Sequence, residues 1–280
     1  MKKQRRREIG REERRTSAAA VEVATVADEP TPSLLPPREA GNEWPVPDPD
    51  LVWRVTGTRD VSWFLDSGRR SALDVSRALA AGGSRLDSHR RILDFGCGCG
   101  RILLWLEAVG RRAELHGVDI DGEAVEWARA HIPYARVERN DHLPPLTFPD
   151  DHFDLVYNHS VFTHLDADYQ DAWLAELARV TAPGGLVLLT VHGPHALADL
   201  GRKWRAKGKD FAPLEAALRE QGLVFIADDG WVGGPFPDFY HTTYHAPWYV
   251  FDHWSRFFDV CAYIVRGSLD YQDQVLLRAR

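Results

Sequence analysis

Ile92-Leu93-Asp94-Phe95-Gly96-Cys97-Gly98-Cys99-Gly100-Arg101 is an apolar run that passes through three alternating glycines into a segment with Ile102, Trp105, Leu106 and Val109 at helical spacing. Residues 91–95 read as a buried strand and 101–109 as the amphipathic helix that follows it. Glycines at such a junction let the backbone pass close beneath a ligand. The spacing alone also fits dinucleotide sites and ordinary turns, so the neighbouring charge has to decide. Asp94 places a carboxylate at the end of the strand, where it would repel a pyrophosphate seated on the helix N-terminus. A cationic nucleoside suits the position better.

Outward from this motif the chain alternates. Residues 114–118 form a second strand that ends at Asp119, about 20 residues beyond the glycine turn, where an acid meets ribose hydroxyls in folds of this kind. Asp121 caps a helix carrying Ala124, Val125 and Ala128 inward, and capping alone is the competing explanation for both acids. Strands follow at 136–138, 153–157 and 186–191. A helix over 168–180 has Trp173, Leu174, Leu177 and Val180 on one face and closes at Pro183-Gly184-Gly185. This rhythm predicts βαβ units and a parallel sheet. S-adenosylmethionine, which carries an ammonium and a sulfonium but no phosphate, is the nucleoside that the two acids fit.

In this order the motifs resemble those of the class I S-adenosylmethionine-dependent methyltransferases. Asn140-Asp141 is similar to the segment after strand three whose acid meets the adenine amino group. Residues 148–156 look like the lead-in to strand four, and 177–185 like the lead-in to strand five. The resemblance covers about residues 90–192 plus the C-terminal strand pair. It implies an α/β, Rossmann-like doubly wound sheet of seven strands with an antiparallel last strand, here with an insertion after strand five. It also implies cofactor contacts at Asp94, Gly96, Cys97, Gly98, Asp119, Ile120, Asn140, Asp141, His142, Asn158 and His159. Ser160-Val161-Phe162-Thr163-His164-Leu165 and Gln272-Asp273-Gln274-Val275 are similar to bacterial members found in glycan and natural-product pathways. The expected reaction is methyl transfer to a small molecule, on oxygen. A protein acceptor and a catalytically silent cofactor-binding module are the alternatives.

Three segments organise the 280 residues. Residues 1–43 are basic, then proline-rich, and read as a disordered tail; Glu8, Glu12 and Glu13 interrupt the basic cluster and weigh against a lipid- or RNA-binding arm. Removing this tail is expected to leave activity intact. Residues 44–88 form a helical cover, and 89–280 the main domain with a substrate-covering insertion at 193–246, dense in aromatics such as Trp231, Phe236, Phe239, Tyr240 and Tyr244. A formal charge of −7 gives no general attraction to nucleic acid, and no run is long enough to span a membrane. Three cysteines, two of them in the glycine turn, suit a reducing cytoplasm. Oligomeric state is not legible.

Methyl transfer from a sulfonium is an in-line displacement, so alignment supplies most of the rate and a general base adds to it only for a hydroxyl acceptor. His164 and then His192 are the base candidates, because the loops after strands four and five adjoin at the carboxyl edge of the sheet. For each histidine a packed structural role competes. The pairs His192/His195 and His241/His245 have metal-compatible spacing but no carboxylate partner in a recognisable pattern, so no metal is expected.

Overall fold

The computed structural model describes residues 44–226, 237 and 239–280. The expected tail at 1–43 and residues 227–236 of the insertion, including Trp231 and Phe236, lie outside the described residues.

Seven strands form one sheet in the order β3-β2-β1-β4-β5-β9-β8. They are β1 (Arg91–Phe95), β2 (Glu114–Asp119), β3 (Arg136–Arg139), β4 (Phe153–Asn158), β5 (Thr181–Val191), β8 (Asp259–Ser268) and β9 (Gln272–Arg278). The first five are mutually parallel, and β9 inserts antiparallel between β5 and β8, as the expected fold requires.

Side chains on a strand alternate between faces, and the two cores follow that alternation. Ile92, Leu155, Tyr157, Leu186, Leu188 and Leu276 enter the core on one face. Their neighbours Leu93, Val156, Val187, Leu189, Val275 and Leu277 enter the core on the other. Both faces are apolar, which is why these strands read as continuous hydrophobic runs.

On the first face pack the cover helices α1 (Pro49–Thr56) and α2 (Val61–Ala81), with α3 (Gly122–His131) beside them. Asp48, Asp60 and Asp121 cap these three helices, each side chain accepting two N–H groups of the first turn. On the second face pack α4 (Ala167–Val180) and Trp254 and Phe258, which follow α7 (Pro247–His253).

The predicted helix over 101–109 is replaced by two short turns, Leu103–Trp105 and Glu107–Gly110. Tertiary contacts override the periodicity here. The Tyr134 hydroxyl donates to the carbonyls of Leu103 and Leu104 (3.3 and 2.9 Å), groups that a regular helix would pair internally. The Arg101 carbonyl and the Trp105 ring also press against Gly68 of α2, where an added Cβ would lie 2.4 Å from the Arg101 carbonyl oxygen.

After β5 come α5 (Pro194–Ala206), α6 (Ala212–Gln221) and a two-stranded antiparallel sheet of β6 (Leu223–Ile226) and β7 (Thr242–His245). β7 is the element that sequence periodicity missed. It fastens the loops after β4 and β5 together: His241 and Thr243 N–H groups donate to His164 and Thr163 carbonyls, and His245 N–H to the His192 carbonyl. Its backbone pairs both with β6 and with the loops after β4 and β5, and its sequence Thr242-Thr243-Tyr244-His245 carries no alternating apolar signal.

Candidate active site

A cavity of about 1020 Å³ opens at the carboxyl ends of β1, β2 and β4, where the strand order reverses and open α/β sheets bind ligands. Its floor is the glycine turn. Gly96 and Cys97 N–H groups donate to the Val118 carbonyl (2.8 and 3.0 Å), tying the turn to β2. Gly96 sits at φ +79, and a Cβ there would fall 2.2 Å from Val161 Cγ2. Only glycine combines this conformation with the close approach of the loop after β4.

Two carboxylates flank the turn, Asp94 buried and Asp119 half-buried. Asp119 accepts from Gly98 N–H through one oxygen (2.6 Å) and from Asp121 N–H through the other (2.8 Å). Asp94 accepts the Tyr157 hydroxyl (3.0 Å). Loss of solvent pushes Asp94 up to about 7, against the lowering effects of the Tyr157 hydroxyl and Arg101. It likewise pushes Asp119 up to about 6, against its two backbone donors. Arg101 is buried nearby and held down to about 10 by desolvation; sequence reading placed it merely at the start of a helix. These acids are short of compensating charge, a state that a cationic ligand relieves. Asp121, by contrast, does cap α3, and it also pairs with Arg54 from the cover (2.8 Å).

The structure brings most of the expected contact residues to the cavity wall. Asp94, Gly96, Cys97, Gly98, Asp119 and Ile120 line one end. Asn140, Asp141 and His142 line a second side, and His159 a third. Asn158 stands outside the lining: its Oδ1 accepts Thr190 N–H (2.9 Å), which locks β4 to β5. Cys97 and Cys99 are buried thiols pushed well upward by desolvation, consistent with small apolar fillers of the turn.

His164 and His192 both line the cavity, with ring centroids 6.3 Å apart. His164 Nδ1 is hydrogen-bonded to the His241 carbonyl (2.9 Å), so Nδ1 carries the proton and Nε2 is left as an acceptor, 3.4 Å from Ser160 Oγ. The ring stacks on Tyr240 of the insertion at 4.1 Å. Burial drives His164 down to about 3 and His192 to about 4, so both are neutral at pH 7. His245 is spent on Gln170 (3.0 Å), whose amide in turn donates to the carbonyls of Phe162 and Leu165; this histidine is structural. Among the described residues no third donor joins the His192/His195 or His241/His245 pairs.

Several lining residues were not expected. Arg54, Val55 and Trp63 come from the cover segment, so that segment builds part of the wall. Ser160 adopts φ 65, and its N–H donates to Thr190 Oγ1 (2.7 Å). Its hydroxyl accepts from Gln272 Nε2 (2.9 Å). The two sequence segments that resembled glycan- and natural-product-pathway enzymes therefore meet each other across the cavity. That convergence was the available signal for Ser160 and Gln272.

Residues 92–185 match the family described as "Methyltransferase domain". Over this third of the chain the match is to a methyltransferase domain. This domain is similar to a malonyl-[acyl-carrier protein] O-methyltransferase of Halorhodospira halophila, 36% identical over 42% of this chain and 40% of that protein. It is also similar to a fatty-acid O-methyltransferase of Mycolicibacterium smegmatis, 35% identical over 36% of each chain. The chain thus spans about two fifths of the length of these curated relatives. Among solved structures, an enzyme converting a disulfide bond into a thioacetal group in echinomycin biosynthesis superimposes with a TM-score of 0.50 at 20% identity. That match covers 77% of this chain and 84% of the other, and shows the shared fold.

The residues present fit S-adenosylmethionine, the cofactor expected from the sequence. The glycine cradle leaves room where any Cβ would intrude, and the two undercompensated carboxylates call for a cation. No described helix is long and apolar enough to cross a membrane.

Proposed function

We propose that the protein transfers the methyl group of S-adenosylmethionine to an oxygen of a small-molecule acid. The observation that carries this reading is the pair of carboxylates around Gly98, Asp94 buried and Asp119 half-buried, at one end of a cavity near the upper limit of the roughly 300–1,000 Å³ usual for a single ligand. Such a volume admits an acceptor beside the cofactor.

When bound, the cofactor supplies a methyl group activated by its sulfonium. Asp119 and the Gly96–Gly98 turn would hold the nucleoside, with Asn140, Asp141 and His142 at its base, while Asp94 offsets the positive charge. Ser160, held by Thr190 and Gln272, faces the remaining volume together with His164, His192 and Tyr240. These groups orient the acceptor, and the aromatic wall excludes water. A carboxylate acceptor is nucleophilic at pH 7 without help, which agrees with histidines too weakly basic to be charged there. Lys203, at the cavity lining and paired with Asp199, offers a cation for an acidic substrate. The names of the malonyl and fatty-acid O-methyltransferases support acids as the first acceptors to test.

One observation favours a second reading. His164, with Nδ1 pinned and Nε2 turned to the cavity, is built like a general base for a hydroxyl acceptor such as a saccharide. Turnover of labelled cofactor against fatty acids, malonyl thioesters and hydroxylated natural products identifies the class. His164→Ala then separates the readings: kcat changes only a few-fold for an acid, and falls by about 10²–10⁴ for a hydroxyl. Absence of heat on titrating S-adenosylhomocysteine into concentrated protein would refute both.

A further inference from the structure

The opposite, amino-terminal edge of the sheet carries a second set of donor atoms. Glu114 and His116 lie two residues apart on β2, so their side chains share a face. His152 reaches the same point from the turn just ahead of β4. One donor atom from each of the three lies within 4.8 Å of the others, and Glu114 Oε2 is 3.8 Å from His116 Nε2. His116 is only 5% exposed, yet neither of its ring nitrogens has a hydrogen-bond partner.

That last fact is the unusual one. The His116 ring packs edge-on against Phe148, His152 and Phe153 in what is otherwise an aromatic cluster. A phenylalanine would fill the place without burying two unsatisfied polar atoms, each of which costs free energy. A buried imidazole facing a second imidazole and a carboxylate is explained if a ligand completes it.

We propose that Glu114, His116 and His152 form a binding site for a divalent transition-metal ion of the zinc class. Two imidazoles and one carboxylate suit zinc and its neighbours, whereas calcium and magnesium favour all-oxygen sets. Bonds of about 2.0–2.2 Å require the three donors to close by roughly an ångström. Glu114, with its side chain 55% exposed, and the half-buried His152 are free to make that movement, while His116 is the fixed point. Arg136, 3.9 Å from Glu114, remains as an outer partner.

The ion would cross-link β2 to the lead-in of β4, the two strands that flank β1. Glu114 and Asp119 stand at opposite ends of β2, about 17 Å apart at a strand rise of ~3.3 Å per residue, so the ion has no part in methyl transfer. The site stands whether or not the proposed acceptor is correct.

The test uses the untagged full chain, stripped with chelator and titrated with zinc chloride by calorimetry. One zinc per chain is expected, with Tm raised by roughly 5–10 °C at a hundredfold excess over Kd. His152→Phe, which keeps a ring in the aromatic cluster, and Glu114→Gln should each weaken zinc at least tenfold while leaving S-adenosylhomocysteine affinity and the metal-free Tm nearly unchanged. Failure to bind zinc saturably overturns the proposal. So does stoichiometric binding that both variants retain, which would put the ion elsewhere.

Discussion

Asp94 and Asp119 set the behaviour of the site through the cost of burying charge. With Asp94 near 7 and Asp119 near 6 in the ligand-free protein, acidification protonates both before most other carboxylates. A cationic ligand binds the ionised forms, so cofactor affinity should be full above pH 8 and fall as pH drops through 7 and 6. The fall is about tenfold per pH unit for each group once below its pKa. Calorimetric titration with S-adenosylmethionine between pH 5.5 and 8.5 measures this, and a flat profile contradicts it. Asp119→Asn removes a charge-assisted bond of about 1.5–3 kcal/mol, so Kd should rise tenfold to a hundredfold or more. Both acids were legible in the sequence from their place after apolar strands. The charge balance was not, because the buried Arg101 guanidinium next to Asp94 depends on the chain folding back through the turn.

Among the elements, the N-terminus of α3 couples the cover to the sheet. Asp121 caps the helix and also binds Arg54 of α1, which in addition contacts Glu123. Asp121→Ala should therefore destabilise the protein by about 1–2 kcal/mol, mostly through the lost cap, as read from urea melts. It should also weaken cofactor binding modestly, since Arg54 and Asp121 both line the cavity. The cover is fastened at its other end by Asp74, which accepts Leu269 N–H from the β8–β9 turn (2.9 Å). Strands and long helices were readable because apolar periodicity is strong where one face meets a core. The segment 101–109 misled that reading: its periodicity is genuine, but the Tyr134 hydroxyl takes up backbone carbonyls that would have closed a helix, and the Arg101 carbonyl packs closely against Gly68.

For the whole molecule, buried neutral histidines decide the response to acid. His164, His192 and His245 are held near 3 to 4, and His159 is also driven well below its ordinary value by burial. In the unfolded chain each would titrate near 6.5. Below that pH the unfolded state binds protons that the folded state refuses, so stability falls as pH drops from about 6.5 toward 4. Asp74, Asp94, Asp119 and Asp273 act oppositely over part of the range, because the folded state binds their protons first, but with His116 and His152, also lowered by burial, six histidines outnumber these four acids. Tm should accordingly decline between pH 6.5 and 4.5, and S-adenosylhomocysteine should protect progressively less over the same range. Thermal melts across that interval, with and without ligand, check both slopes.

The succession of strands along the chain, the glycine turn and the acids at the ends of β1 and β2 were determined by the sequence alone. These are local features: a strand's apolar run, a turn's need for glycine and a carboxylate at a strand end are all set by neighbours within a few residues. What only the tertiary structure decided is long-range. β7 stitching the loops after β4 and β5, Gln272 meeting Ser160, Asn158 turning away to Thr190, and Glu114, His116 and His152 converging at the far edge all join residues distant along the chain. Their proximity comes from sheet closure, which no local pattern encodes.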